Sequence, residues 1–137
     1  MEVVKTLIQA GGDVNEQDER RKTPLHLASG KGHVEVVKRL IQAGGDVNEH
    51  DFNDFTPLYE ASKHGHVDVV KSLIQAGGEV NKQGLGHWTP LHFASRNGHV
   101  EVITALLAAG ADQTIEDDIG QTPYYLALNQ DCKNALE

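Results

Sequence analysis

One dipeptide, Thr-Pro, recurs at a fixed interval and constrains this chain more than any other feature. Thr23, Thr56, Thr89 and Thr122 stand a constant 33 residues apart, and the prolines that follow them are all four prolines of the 137-residue chain. Related segments open there: Thr23-Pro24-Leu25-His26-Leu27-Ala28, Thr56-Pro57-Leu58-Tyr59-Glu60-Ala61, Thr89-Pro90-Leu91-His92-Phe93-Ala94 and Thr122-Pro123-Tyr124-Tyr125-Leu126-Ala127. A second block keeps the period at Gly32-His33-Val34, Gly65-His66-Val67 and Gly98-His99-Val100. A third keeps it at Ala10-Gly11-Gly12-Asp13-Val14-Asn15, Ala43-Gly44-Gly45-Asp46-Val47-Asn48 and Ala76-Gly77-Gly78-Glu79-Val80-Asn81. Three blocks in phase mean one supersecondary unit copied along the chain. A unit this small cannot bury its apolar side alone, so the copies are expected to stack, each packing on its neighbours.

Each block has a mechanical meaning. Threonine before proline is an N-cap followed by a residue whose φ is preset for the first helical turn. That first helix is short and stops near Gly30 or Gly32. The second helix carries an apolar stripe at Val34, Val36, Val37, Leu40 and Ile41, with Glu35 and Arg39 paired on its outer face. Gly44 supplies the left-handed residue beyond the helix end, and the polar stretch after Asn48 suits a projecting turn. Gly45 follows, and at a negative φ its replacement by alanine is expected to stabilise by ~0.4–1 kcal/mol through the unfolded chain.

Composition narrows the functional classes. Twelve basic against twenty acidic residues give a net charge of −8, which opposes nucleic acid and anionic membrane as partners. No apolar run reaches the ~18–20 residues of a membrane helix. A single cysteine, Cys132, excludes an internal disulfide framework and fits a cytoplasmic or nuclear setting.

These elements resemble those of the ankyrin-repeat family over essentially the whole chain. The resemblance implies an all-α solenoid of paired antiparallel helices with β-hairpin-like loops, forming a single domain at 1–137. Its parts are a half repeat at 1–17, full repeats at 18–50, 51–83 and 84–116, and a partial C-terminal repeat at 117–137 with a second helix starting near Cys132. The chain departs from the family where Arg21, Asp54 and His87 replace a glycine two residues before the threonine; only Gly120 keeps it. Opening and closing on half repeats, it reads as an excerpt of a longer array, with Leu136-Glu137 as a cloning remnant. A monomer is expected, with head-to-tail association open to it.

Catalytic and metal chemistry find little here. His26, His92, His33, His66 and His99 recur with the structural period, so ring bonds to loop backbone account for them, and no cysteine or carboxylate stands at ligand spacing. Cys132 lacks a nearby histidine in sequence and reads as an incidental thiol. Phosphate-binding glycine loops and nucleophile elbows are absent from the sequence. The expectation is a protein that is not an enzyme and needs no cofactor or metal.

The resemblance further implies that hairpin tips and first helices line a concave groove for a protein or peptide partner. By position the tip residues are Glu19, Arg20, Arg21 and Lys22; Phe52, Asn53, Asp54 and Phe55; Leu85, Gly86, His87 and Trp88; and Asp118, Ile119 and Gln121. Glu60, Lys63, His64, Phe93 and Arg96 join them from the first helices, with Lys31 and Asn97. Arg20, Arg21, Lys22, Phe52, Phe55, Leu85, His87 and Trp88 are the leading tip candidates, because aromatics and arginine anchor protein interfaces. Against that stands the alternative that Phe55 and Trp88 merely pack on the adjoining hairpin. Two other roles are compatible: the targeting arm of a larger enzyme or channel, or a substrate of an asparaginyl hydroxylase. The latter follows from likeness of Leu7–Asn15 and Leu40–Asn48 to that enzyme's target pattern, with Leu73–Asn81 departing at Glu79. The competing reading of Asn15, Asn48 and Asn81 is that each ties down a loop.

Overall fold

The computed structural model describes residues 13–137. Each Thr-Pro opens a helix pair: α1 (Pro24–Lys31) with α2 (Val34–Gln42), α3 (Pro57–His64) with α4 (Val67–Gln75), α5 (Pro90–Arg96) with α6 (Val100–Ala108), and α7 (Pro123–Leu126) with α8 (Gln130–Ala135). A short 3-10 turn, Leu85–His87, is the remaining helical segment among the described residues, and no strand occurs there. First helices stack on first helices in chain order and second helices on second helices, so the fold is two parallel layers. The principal packing pairs among the described residues join partners within a repeat or in neighbouring repeats, as a linear stack requires. The helix expected for the opening half repeat lies outside the described residues.

Apolar periodicity sets what faces inward. Leu25, Val36, Val37 and Leu40 from one repeat meet Leu58, Ala61, Val69, Val70 and Leu73 of the next, and Leu91, Ala94, Val102, Ile103 and Leu106 extend the seam. Helices of seven to nine residues are too short to persist alone in water, so this shared seam holds them. Their ends are closed locally. Thr23 and Thr89 cap α1 and α5 in reciprocal boxes with His26 and His92. Gly32, Gly65 and Gly98 turn the chain at φ near 75–81° into the second helix.

The last repeat departs from the expected layout. Helix α7 is only four residues long, ends at Leu126, and is followed by an extended Ala127. Helix α8 then starts at Gln130, three residues earlier than the period places it, with the Asn129 side chain accepting the Cys132 N–H. The shift drops Cys132 and Leu136 into the helix positions that Val36 and Leu40 occupy in α2. Both are core residues, 0% and 4% exposed. Cys132 is therefore a packing residue rather than an incidental thiol, and Leu136 packs in the core beside it.

Gly45 also differs from expectation. Its φ is not positive, yet a Cβ there would lie 2.8 Å from the Leu40 carbonyl oxygen. That oxygen accepts the Gly45 N–H at 2.8 Å, and the corresponding bond at Ala111, in the equivalent turn, measures 2.9 Å. Alanine fits only once the turn gives way slightly, which offsets the entropic gain.

Candidate functional site

The four projecting loops are built to one plan. Backbone bonds close each over five residues, Asp18 N–H to the Lys22 carbonyl, Asp51 to Phe55, Gly84 to Trp88 and Asp117 to Gln121, at 2.9–3.0 Å. In three loops the aspartate Oδ1 also accepts the N–H groups two and four residues on, as Asp51 does from Asn53 and Phe55 at 2.8 and 3.0 Å. The loops are then tied to one another: Phe52 N–H donates to Arg20, Leu85 to Asn53 and Asp118 to Gly86, all at 2.8–3.0 Å. The tips thus form a continuous ladder, a rigid platform for whatever side chains they carry. At its crest Arg21, Asp54 and His87 sit at φ of 65°, 61° and 60°, and Gly120 at 81°. Left-handed backbone costs an L-residue ~1–2 kcal/mol, so three of four crests carry a side chain where glycine would be cheaper.

The tip side chains divide into two groups. Phe52, Leu85 and Ile119 stand out at 66%, 63% and 76% exposure. Arg20, Arg21 and His87 are exposed beside them, the Arg21 guanidinium lying 5.9 Å from the Phe52 ring centre and His87 contacting Asp118. By contrast Lys22, Phe55 and Trp88 are half-buried and reach across to the next repeat. Lys22 bonds Asp51 at 3.1 Å and Glu60 at 2.5 Å. Burial works against its charge, but Glu60 and then Asp51 outweigh that and raise its pKa. Phe55 packs on Tyr59 and Phe93, with ring centres 4.7 and 5.2 Å away, and Trp88 on Phe93 at 4.8 Å. The indole N–H donates to Asp117 at 3.1 Å, while Arg96 lies 5.6 Å over the ring. Removing Trp88 therefore disturbs the repeat interface.

Copy by copy, one interface is solved three ways. Lys22 meets Asp51 and Glu60; at the equivalent places Phe55 meets Gly84 and Phe93; Trp88 meets Asp117, with Leu126 in the third slot. Gly84 breaks the aspartate pattern because the Phe55 ring fills that space: a Cβ on Gly84 would lie 2.4 Å from Phe55 Cδ1.

Histidines and asparagines serve the stack. Thr23 N–H donates to His26 Nδ1 at 3.0 Å, which fixes the proton on Nε2, and that N–H donates to the Phe55 carbonyl at 2.8 Å. His92 repeats this between Thr89 and Gln121. Burial lowers the pKa of both rings. His66 and His99 bond back to the carbonyls of Gly30 and Lys63. Asn15, Asn48 and Asn81 each donate to a glycine carbonyl of the following repeat, at Gly44, Gly77 and Gly110, and accept the N–H of Asp46, Glu79 and Asp112. His64 and His66 have stacked rings 6.3 Å apart. No group of three or more metal-capable side chains occurs among the described residues, and no helix there is long and apolar enough to cross a membrane.

A family model of ankyrin repeats (3 copies) matches residues 1–84 and 77–137. The chain belongs to the ankyrin-repeat family. No curated protein sequence matches it. Ankyrin repeats are in general protein–protein interaction modules without catalysis of their own, and the geometry above bears on how this one presents its surface. Leu27, Tyr124, Tyr125 and Leu128, none of them among the tip or first-helix candidates, are also exposed. Tyr125 carried a signal, since it fills the ankyrin slot through which His26, Tyr59 and His92 reach a following repeat.

Proposed function

We propose that this ankyrin array is an interaction scaffold whose partner, a protein or peptide, lies along the hairpin tips and the first-helix face. The observation that carries it is the row of Phe52, Leu85 and Ile119, large apolar side chains exposed on successive rungs of one hydrogen-bonded ladder. Apolar side chains gathered on a rigid surface mark interaction sites, and pre-ordered loops spare a partner part of the entropy of docking. The strained crests at Arg21, Asp54 and His87 point the same way, since local strain persists where a side chain serves recognition. Phe55, Trp88 and Phe93 then form the half-buried floor behind the row, and Arg20 and Arg21 flank it at one end.

Truncating Phe52 and Leu85 together to alanine is expected to weaken partner binding by ~2 kcal/mol or more, with the unfolding midpoint nearly unchanged. Pull-down and calorimetry with the captured partner, alongside urea unfolding, measure both. Binding equal to wild type would move the site to the convex second-helix face. The same surface serves whether the array acts alone or as the targeting arm of a larger enzyme or channel. A role as hydroxylation substrate is separable, because it requires releasing an Asn side chain that holds two backbone groups.

A further inference from the structure

The first-helix layer carries more base than acid, whereas the second helices α2, α4 and α6 balance Lys38, Arg39 and Lys71 against Glu35, Asp68 and Glu101. Helices α1, α3 and α5 carry Lys31, Lys63 and Arg96 in their last turns and a single carboxylate, Glu60, which Lys22 engages. Lys31, Lys63 and Arg96 are exposed and, among the described residues, have no carboxylate within 4.0 Å. Lys63 and Arg96 hold the same position in successive copies and Lys31 stands one residue further along its helix, a row of bases that runs against the net charge of −8. Complementing the helix dipole is one use for a base in a last turn; among the second helices α2 ends on Arg39 in that way, while α4 and α6 end without one. The row lies along the far end of the first helices, and the apolar row of Phe52 and Leu85 lies along the tips. Arg96 joins the two, its guanidinium resting over the Trp88 ring with its N–H fork available to an oxyanion.

On the reading that the groove binds a partner, we propose that the partner segment is at once acidic and apolar. It is a peptide running along the stack, its aromatic or aliphatic side chains on the tips and its carboxylates on Lys31, Lys63 and Arg96. A nucleic acid fits less well, because exposed Asp54 and Asp118 stand at the tips and repel a phosphate backbone.

Selection of a displayed random-peptide library on the full chain tests this, followed by fluorescence anisotropy with the synthesised binder. The expected binders combine Asp or Glu with Phe, Leu or Trp. They should lose about tenfold or more in affinity on the Lys31→Glu/Lys63→Glu/Arg96→Glu variant and weaken as salt rises. The milder Lys31→Gln/Lys63→Gln pair serves if the reversed variant does not fold. A lysine-for-glutamate version of the binder should recover affinity for the reversed variant. Binders that need Phe52 and Leu85 but lack acidic residues, or ignore the charge changes, overturn the acidic partner and leave the groove standing. Binders indifferent to Phe52→Ala/Leu85→Ala as well overturn both. A single-stranded oligonucleotide that binds more tightly than any selected peptide, and loses that binding on charge reversal, overturns it in favour of nucleic acid.

Discussion

Thr56 and Thr23 occupy the same position in successive repeats, and one neighbour makes them differ. At Thr23 the hydroxyl accepts the His26 N–H at 3.3 Å and lies 2.9 Å from the ring Nδ1. At Thr56 the corresponding residue is Tyr59, whose longer side chain passes the threonine and donates its hydroxyl proton to the Trp88 carbonyl of the next repeat, with the Lys82 carbonyl of its own repeat also in contact. The Thr56 hydroxyl is left buried without a partner. A buried, unpaired hydroxyl costs ~1–3 kcal/mol, and valine fills the same volume without it. Thr56→Val is therefore expected to raise stability by ~1 kcal/mol. The same change at Thr23 removes a working cap and should lower it by ~1–2 kcal/mol. Urea unfolding of the two variants reads the opposite signs; a loss at Thr56 would mean that its hydroxyl is satisfied in solution.

At the scale of the element, the tips and the helices behind them differ from repeat to repeat as interface sets rather than as single positions. Lys22→Phe alone would strip Asp51 and Glu60 of their cation and press a ring against the Asp51 carboxylate, so it should destabilise. Lys22→Phe/Asp51→Gly/Glu60→Phe copies the Phe55, Gly84 and Phe93 set and should restore stability to wild type or above. Non-additivity of ~1–3 kcal/mol is expected for residues in mutual contact; unfolding free energies of the single, double and triple variants complete the cycle, and plain additivity would refute the set. The period made the helices, caps and stacking order legible, because those depend on residues close in sequence. The tip roles were less legible, because they are decided by a residue about 30 positions away. Phe52 and Phe55 look alike in sequence, yet one meets solvent and the other meets Gly84 and Phe93. The start of α8 was hidden for a related reason: the early end of α7 moved the register by three, so Cys132 packs where the period alone offered it no place.

Over the whole molecule, these bridges make the stack uneven toward acid. His26 ties the first full repeat to the second, Tyr59 the second to the third, and His92 the third to the last. Burial holds both histidines neutral, with pKa values below the ordinary 6.5, and their Nδ1 faces a backbone N–H donor that a second proton would oppose. The unfolded chain thus binds more protons than the folded one below about pH 6.5. Their contribution is complete above that value and is lost as pH falls through the folded pKa. Asp18, lowered by the Lys22 N–H, and Asp112, lowered by Thr114, already sit below 3.8 and matter only in stronger acid. Burial raises the Tyr59 phenol far above its usual range, so this bridge of the middle interface does not titrate on the way down. Because a linear stack opens where its weakest interface lies, lowering the pH from 7.5 to 5 should open the two ends before the centre. Amide exchange, corrected for its intrinsic pH dependence, is expected to lose protection first in α1 and α7–α8 while α3 and α4 retain theirs. The double variant His26→Tyr/His92→Tyr, which places the Tyr59 solution at both outer interfaces, should flatten that difference. Uniform loss of protection along the array, unchanged by the double variant, would show that acid acts elsewhere than at these rings.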